Sequence, residues 1–296
     1  MATRRHTAPP APPPPPRPPE RAPLDVAQLS HPGMVRPHNE DSVFVDAEAG
    51  LAVLADGMGG YSAGEVASGI AVSVISGGLL PELRSGRELS KVDVASGLTH
   101  AAQLLQQQIA AANKGIYEAA QLRPECAGMG TTLVAAVFCG SRVSIGHIGD
   151  SRCYRMRGDK FEQLTHDHSL LQEQIDSGVL TPEQAKYSLN KNLVTRALGI
   201  EAIVPADIVE YRVEANDIYL LCSDGLTDMV EPEAVQGIVD EKRLDLALAA
   251  AELVDVANQN GGRDNISVVL VRVPPEFLPS SAWVQKWLAK KGAETK

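Results

Sequence analysis

Leu51-Ala52-Val53-Leu54-Ala55-Asp56-Gly57-Met58-Gly59-Gly60 is a run of five apolar residues that ends on a carboxylate and a glycine-rich turn. A short continuous apolar run bounded by turn residues is the pattern of a strand covered on both faces. The pattern recurs along the chain. Residues 143–148 lead into Gly149-Asp150-Ser151-Arg152, residues 218–223 lead into Asp224-Gly225, and Gly261-Gly262-Arg263-Asp264-Asn265 directly precedes the apolar run 266–269. A single Asp-Gly is an ordinary turn former. Four carboxylates at the ends of buried strands are a candidate acidic cluster, because such groups repel unless they are protonated or bridged by cations. Oxygen donors without a His or Cys set suit Mg2+ or Mn2+ rather than Zn2+.

Further β-rich runs cover residues 42–45, 131–138, 153–157 and 208–211. Turns as short as Cys139-Gly140-Ser141 separate neighbouring runs, which predicts antiparallel pairing, since parallel strands need a long crossover. Val94, Leu98, Ala101, Leu105, Ile109 and Ala112 fall three or four apart and predict one long amphipathic helix, and residues 244–256 predict another. The expected class is α/β (α+β): helices layered on antiparallel sheet. Residues 167–192 are more polar and read as short helices and loops.

The chain has 296 residues, 44% hydrophobic but only 4% aromatic, so Ala, Val, Leu and Ile must build its core. A net charge of −10 argues against a nucleic-acid binder. Residues 1–24 hold a run of five prolines from Pro12 to Pro16 and read as an extended, disordered arm. Residues 25–275 read as one domain, and residues 276–296, with Trp283 and Trp287 four apart, as a helical tail. The four cysteines form no CxxC pair, which with no signal peptide predicts reduced thiols in the cytoplasm. The longest apolar stretch, residues 70–80, is short and broken by Ser and Gly, so no transmembrane segment is expected. A monomer is expected.

Upstream, Gly33-Met34-Val35-Arg36-Pro37-His38-Asn39-Glu40-Asp41 sets a guanidinium four and five residues before two carboxylates. Arg36 offers a planar fork of donors for a phosphoryl group, and Glu40 and Asp41 could hold metal-bound waters.

With these pieces in order, and with Gly128-Met129-Gly130-Thr131-Thr132 and Ser223-Asp224-Gly225-Leu226-Thr227-Asp228 between them, the chain resembles the metal-dependent protein phosphatases of type 2C (PPM) in their compact bacterial form. The resemblance implies a four-layer sandwich of two antiparallel β-sheets flanked by helices. It implies two Mn2+ or Mg2+ ions, with Asp56 bridging them, the Gly57 carbonyl on one, and Asp224 and Asp264 on the other. It further implies Glu40 and Asp41 acting through water, a third ion at Asp150 and Asp228, and Arg36 on the substrate phosphate. The implied activity is hydrolysis of phosphoserine and phosphothreonine proteins by metal-activated water without a phosphoenzyme, opposing a cognate serine/threonine kinase.

Some relatives place a His general acid where this chain has Met58, so another proton donor is expected. His38, His147, His166 and His168 read better as surface or packing residues. Residues 165–198 correspond to the variable flap beside the cleft. The alternatives are a pseudophosphatase binding module, disfavoured by the intact Asp56, Asp224 and Asp264, or a metal-dependent hydrolase of small phosphoesters. No P-loop or HExxH element supports other common chemistries.

Overall fold

The computed structural model describes residues 22–60, 63–185, 188 and 193–278. The chain begins with strands β1 (Asp25–His31), β2 (Asp41–Asp46) and β3 (Leu51–Met58), followed by helices α1 (Ala63–Leu83) and α2 (His100–Leu122). Strands β4 (Gly130–Thr131), β5 (Leu133–Cys139), β6 (Arg142–Ile148), β7 (Arg152–Arg157) and β8 (Lys160–Gln163) come next. Short helices α3 (Leu170–Asp176) and α4 (Pro182–Ala185) precede β9 (Asp207–Arg212) and β10 (Ile218–Cys222). Helices α5 (Asp224–Thr227), α6 (Pro232–Glu241) and α7 (Leu246–Gln259) lead to the last strand, β11 (Ile266–Arg272).

The strands make two antiparallel sheets, ordered β1-β11-β10-β7-β8 and β2-β3-β5-β6-β9, with β4 on the end of β3. Burial explains both the sheets and their cover. Along β3, Ala52 and Leu54 face the other sheet, while Leu51, Val53 and Ala55 face α1 and α2. Both faces of the strand are therefore apolar, as expected for a strand buried on both sides. Between the sheets, Leu54, Val134, Ala136 and Phe138 meet Tyr219, Leu221, Val269 and Val271. Phe138 and Tyr219 pack edge to face, 5.1 Å between centroids. Outside the sheet that holds β10 and β11, α6 and α7 cover these strands through Val235, Val239, Leu253 and Val254. The result is the four-layer sandwich.

Several local expectations needed correction. The helix expected from Val94 starts instead at His100, where the Thr99 side chain accepts from Ala102 N, and it runs on to Leu122. Asp93 Oδ1 accepts from the N–H groups of Ala95 and Ser96 and Gly97 has φ +73°, so residues 93–97 form a turn and Val94 is 99% exposed. Likewise Asp245 caps α7 by accepting from Leu248 N, leaving Leu244 outside the helix and exposed.

The stretch 70–80 is not broken by its Ser and Gly residues. It lies inside α1, a 21-residue helix apolar and long enough to cross a membrane by length and composition alone. Its Ala63, Ala67, Ala71, Ile75 and Leu79 are buried at helical spacing against β3 and α2, as in the core helix of a sandwich. Ser76 Oγ donates to Val72 O at 2.7 Å, within the helix. A Cβ on Gly78 would lie 2.0 Å from Gln108 Oε1, so the end of the Gln108 side chain from α2 packs directly over that glycine.

Strands β1 and β8 and helix α6 add to the elements read from sequence. The arm's first 21 residues and the tail from residue 279 lie outside the described residues. Leu24 and Phe277, at their borders, are buried in the layer between the sheets.

Candidate active site

Antiparallel register brings the acidic residues together. Asp41, the first residue of β2, is the direct partner of Asp56 near the end of β3. Asp224 follows β10 and Asp264 precedes β11, and these two strands are neighbours in the other sheet. The sheets are joined at this end by Ser223, whose Oγ donates to Asp41 Oδ2 at 3.0 Å. Asp150 stands where the chain leaves β6 for β7, crossing from one sheet to the other.

The loop carrying Arg36 is fastened by Asn265. Its Oδ1 accepts from Glu40 N at 2.7 Å, and its Nδ2 donates to the carbonyls of Pro32 and His38 at 3.0 and 2.8 Å. Gly33, with φ +78°, sits so close that a Cβ would lie 2.2 Å from Asp264 O. So held, Arg36 Nη2 donates to Asp264 Oδ2 at 2.7 Å while half of its side chain stays exposed. Gly57 and Gly64 let the start of α1 abut this end of β3: a Cβ on Gly57 would be 2.2 Å from Gly64 O and 2.6 Å from Glu40 O.

The electrostatics follow from burial and crowding. Burial raises the Asp41 carboxyl to about 6, with hydroxyl hydrogen bonds from Ser267 and Ser223 opposing it. Burial likewise raises Asp150 to about 6, with Asp167 adding and Arg152 opposing. Asp56 is pushed well above the usual carboxylate range by burial and then by Asp41, Asp224, Asp150 and Asp264. Asp224 is pushed the same way by burial and then by Asp150, Asp228, Asp264 and Asp41. Glu40 is raised by burial, with Arg36 lowering it in part. The carboxylates singled out in the sequence thus share one electrostatic neighbourhood.

Two of their buried oxygens, Glu40 Oε1 and Asp41 Oδ1, have no hydrogen-bond partner. Buried unpaired acceptors among mutually repelling carboxylates are chemically suited to divalent cations and their waters. Among the described residues no three acidic, imidazole or thiol side chains converge closely enough to cage an ion by themselves. Oxygen donors alone fit hard cations such as Mg2+ and Mn2+.

The histidines engage elsewhere. His166 pairs with Asp176, and His168 accepts from Gly149 N and faces Asp207. His147 is buried against His168 and held down to about 4 by burial and then by that neighbour. His38 is exposed. Met58 sits at the end of β3 and has no proton to give. The flap contains α3 and α4, is closed on itself by a bridge from Ser169 to Val194 and is tied down by one from Leu198 to Thr131; residues 186–187 and 189–192 within it lie outside the described set. A cavity of about 450 Å³ lined by Glu82, Arg87, Lys91 and His100 lies at the other end of α1, away from this chemistry.

Sequence reasoning missed three supporting residues: Asn265, which fastens the Arg36 loop, Ser223, which joins the sheets, and Thr132, whose Oγ1 accepts from Asp56 N at 3.2 Å. Asn265 and Ser223 each lie beside a carboxylate in the quoted motifs, and Thr132 closes the motif of residues 128–132, which was the available signal.

A two-sheet sandwich with acidic residues and one arginine at the end of the sheets defines a class, and comparison with known proteins names it. The protein phosphatase 2C family pattern matches residues 36–267, and the chain belongs to that family. It is 39% identical over 242 residues to Serine/threonine phosphatase stp of Listeria innocua, covering 81% of this chain and 92% of that protein. It is 38% identical over 250 residues to Serine/threonine protein phosphatase PstP of Mycobacterium tuberculosis, covering 84% of this chain. The chain spans about half the length of that relative, with 45% of PstP covered. The crystal structure of the PstP catalytic domain in complex with two manganese ions superposes with a TM-score of 0.73 at 36% identity, over 85% of this chain and 98% of that one.

Proposed function

We propose that this chain is a metal-dependent serine/threonine phosphoprotein phosphatase that hydrolyses phosphoserine and phosphothreonine without a phosphoenzyme. The observation that carries this reading is the group of carboxylates at the ends of both sheets, Asp41 and Asp150 buried and Asp56 and Asp224 half-buried, with Arg36 bonded to Asp264 beside them. In this reading Asp56, the Gly57 carbonyl, Asp224 and Asp264 hold two divalent cations, and Glu40 and Asp41 act through water. Asp150 and Asp228 hold a third. Oxygen-only donors suit Mn2+ and Mg2+ alike. Bound there, the cations supply Lewis acidity that makes hydroxide available from water near neutral pH.

The chain's own residues set the rest. Arg36 compensates Asp264 through one Nη2 contact, and its exposed fork turns to the equatorial phosphate oxygens of a substrate. Asn265 and Gly33 keep that fork in place. The thioether of Met58 cannot protonate the leaving alkoxide, so the proton comes from another donor, water or a different side chain. The reading extends to a cognate serine/threonine kinase, the class of enzyme that must make such a substrate.

Phosphate release from a phosphothreonine peptide is the test. Turnover should require Mn2+, stop in EDTA and fall at least about 10³-fold in Asp264→Ala. Turnover that persists in EDTA, or a clear preference for nucleotides at equal Mn2+, would overturn the assignment.

A further inference from the structure

Asp56 and Asp150 reach the site from different strand ends, and no covalent proximity sets their spacing. The contact between them runs through two buried hydroxyls. Thr132, 1% exposed, lies between β4 and β5, and Ser151, fully buried, is the residue after Asp150. The main chain of Asp56 is held from this side by three bonds. Thr132 N donates to Asp56 O at 2.9 Å, Thr131 Oγ1 donates to the same oxygen at 2.8 Å, and Asp56 N donates to Thr132 Oγ1 at 3.2 Å. Thr132 Oγ1 is also 2.7 Å from Ser151 Oγ. On the other side of Asp150, Gly149 has φ +102°, and a Cβ there would lie 2.6 Å from Thr132 Cβ. The turn carrying Asp150 is therefore packed on, and bonded to, the residue that orients Asp56.

Packing alone does not call for this chemistry. Valine has the shape of threonine, and a buried hydroxyl costs desolvation unless it is bonded. The hydroxyl pair bonds both groups and adds a direction that methyl contacts lack. It spans the crossover from one sheet to the other, where small shifts would change the distance between two repelling carboxylates.

We propose that Thr132 and Ser151 are positioning residues that set the separation of Asp56 and Asp150 and thereby couple cation binding at the two carboxylates. The proposal rests on the phosphatase reading in one respect, that these carboxylates take divalent cations.

Mn2+ binding to the full chain, measured by isothermal titration calorimetry after EDTA treatment and dialysis, tests it alongside the melting temperature of the metal-free protein. Thr132→Val should weaken Mn2+ binding about tenfold or more, the size of effect seen when a group that orients a metal ligand is lost. Thr132→Ser should restore it. Ser151→Ala carries the same expectation and serves if Thr132→Val does not fold. A variant that melts earlier yet binds Mn2+ with wild-type affinity and stoichiometry would overturn the coupling and leave the hydroxyls a structural role. A wild-type chain that binds no Mn2+ would overturn the phosphatase reading and the coupling with it.

Discussion

The middle of the sandwich and its acidic end are built from the same strands under opposite rules. At mid-strand, Leu54 and Leu221 lie among methyl groups and aromatic edges, and burial stabilises the fold by roughly 25 cal/mol per Å² of apolar surface removed from water. Two or three residues further, Asp56 and Asp224 are only half-buried, and there desolvation opposes folding because each carboxylate also faces others of its kind. The interior supplies the stability that holds the end together, and the end holds the chemistry. Stability and activity should therefore separate cleanly by position along a strand.

The sharpest break of that contrast is Asp56→Asn. Loss of the residue shared by both proposed cations should reduce turnover of a phosphothreonine peptide by about 10⁴-fold or more. The metal-free protein should melt no earlier than wild type, because a repelling charge has gone. Thermal melts with and without EDTA check both halves.

Phe138→Ala is the converse. Removing this buried ring and its edge-to-face contact with Tyr219 should cost about 3–5 kcal/mol in urea unfolding. Turnover per folded molecule, measured well below the new midpoint, should stay close to wild type.

The smallest expected effect is a pH dependence. Asp41 and Asp150 are raised from 3.8 to about 6 in the folded chain, which therefore binds more protons than the unfolded chain between those values. Stability of the metal-free protein should fall as pH rises from about 4 to about 7, by a few kcal/mol at most. Saturating Mn2+ should flatten the trend, because bound cations favour the ionised carboxylates. Melting temperatures across that range in EDTA and in Mn2+ give the comparison.

Legibility in the sequence divides along the same line. The strand ends were readable because a carboxylate after an apolar run keeps its residue type and its place in the order of motifs. Buried strands such as β3 and β10 were readable because both faces are apolar. Helix α1 was not, since its spacing of small residues, with Gly78 admitting Gln108, looks like an interrupted run until α2 is packed on it. The early start assigned to α2 failed because Asp93 and Gly97 satisfy a turn that apolar spacing alone does not register. Strands β1 and β8 are partly exposed and take their identity from their partners, β11 and β7. Asn265 was visible only as a letter in a motif; its three bonds to residues more than 200 positions away exist only after folding.

The hydroxyl of Ser223 resting on Asp41 makes the acidic end a seam between two halves rather than the property of either. A slight parting of the layers there would scatter the carboxylates while each ladder of strands stayed intact. Heating should thus silence the protein before it melts, and added divalent ions would act as rivets that postpone that silence.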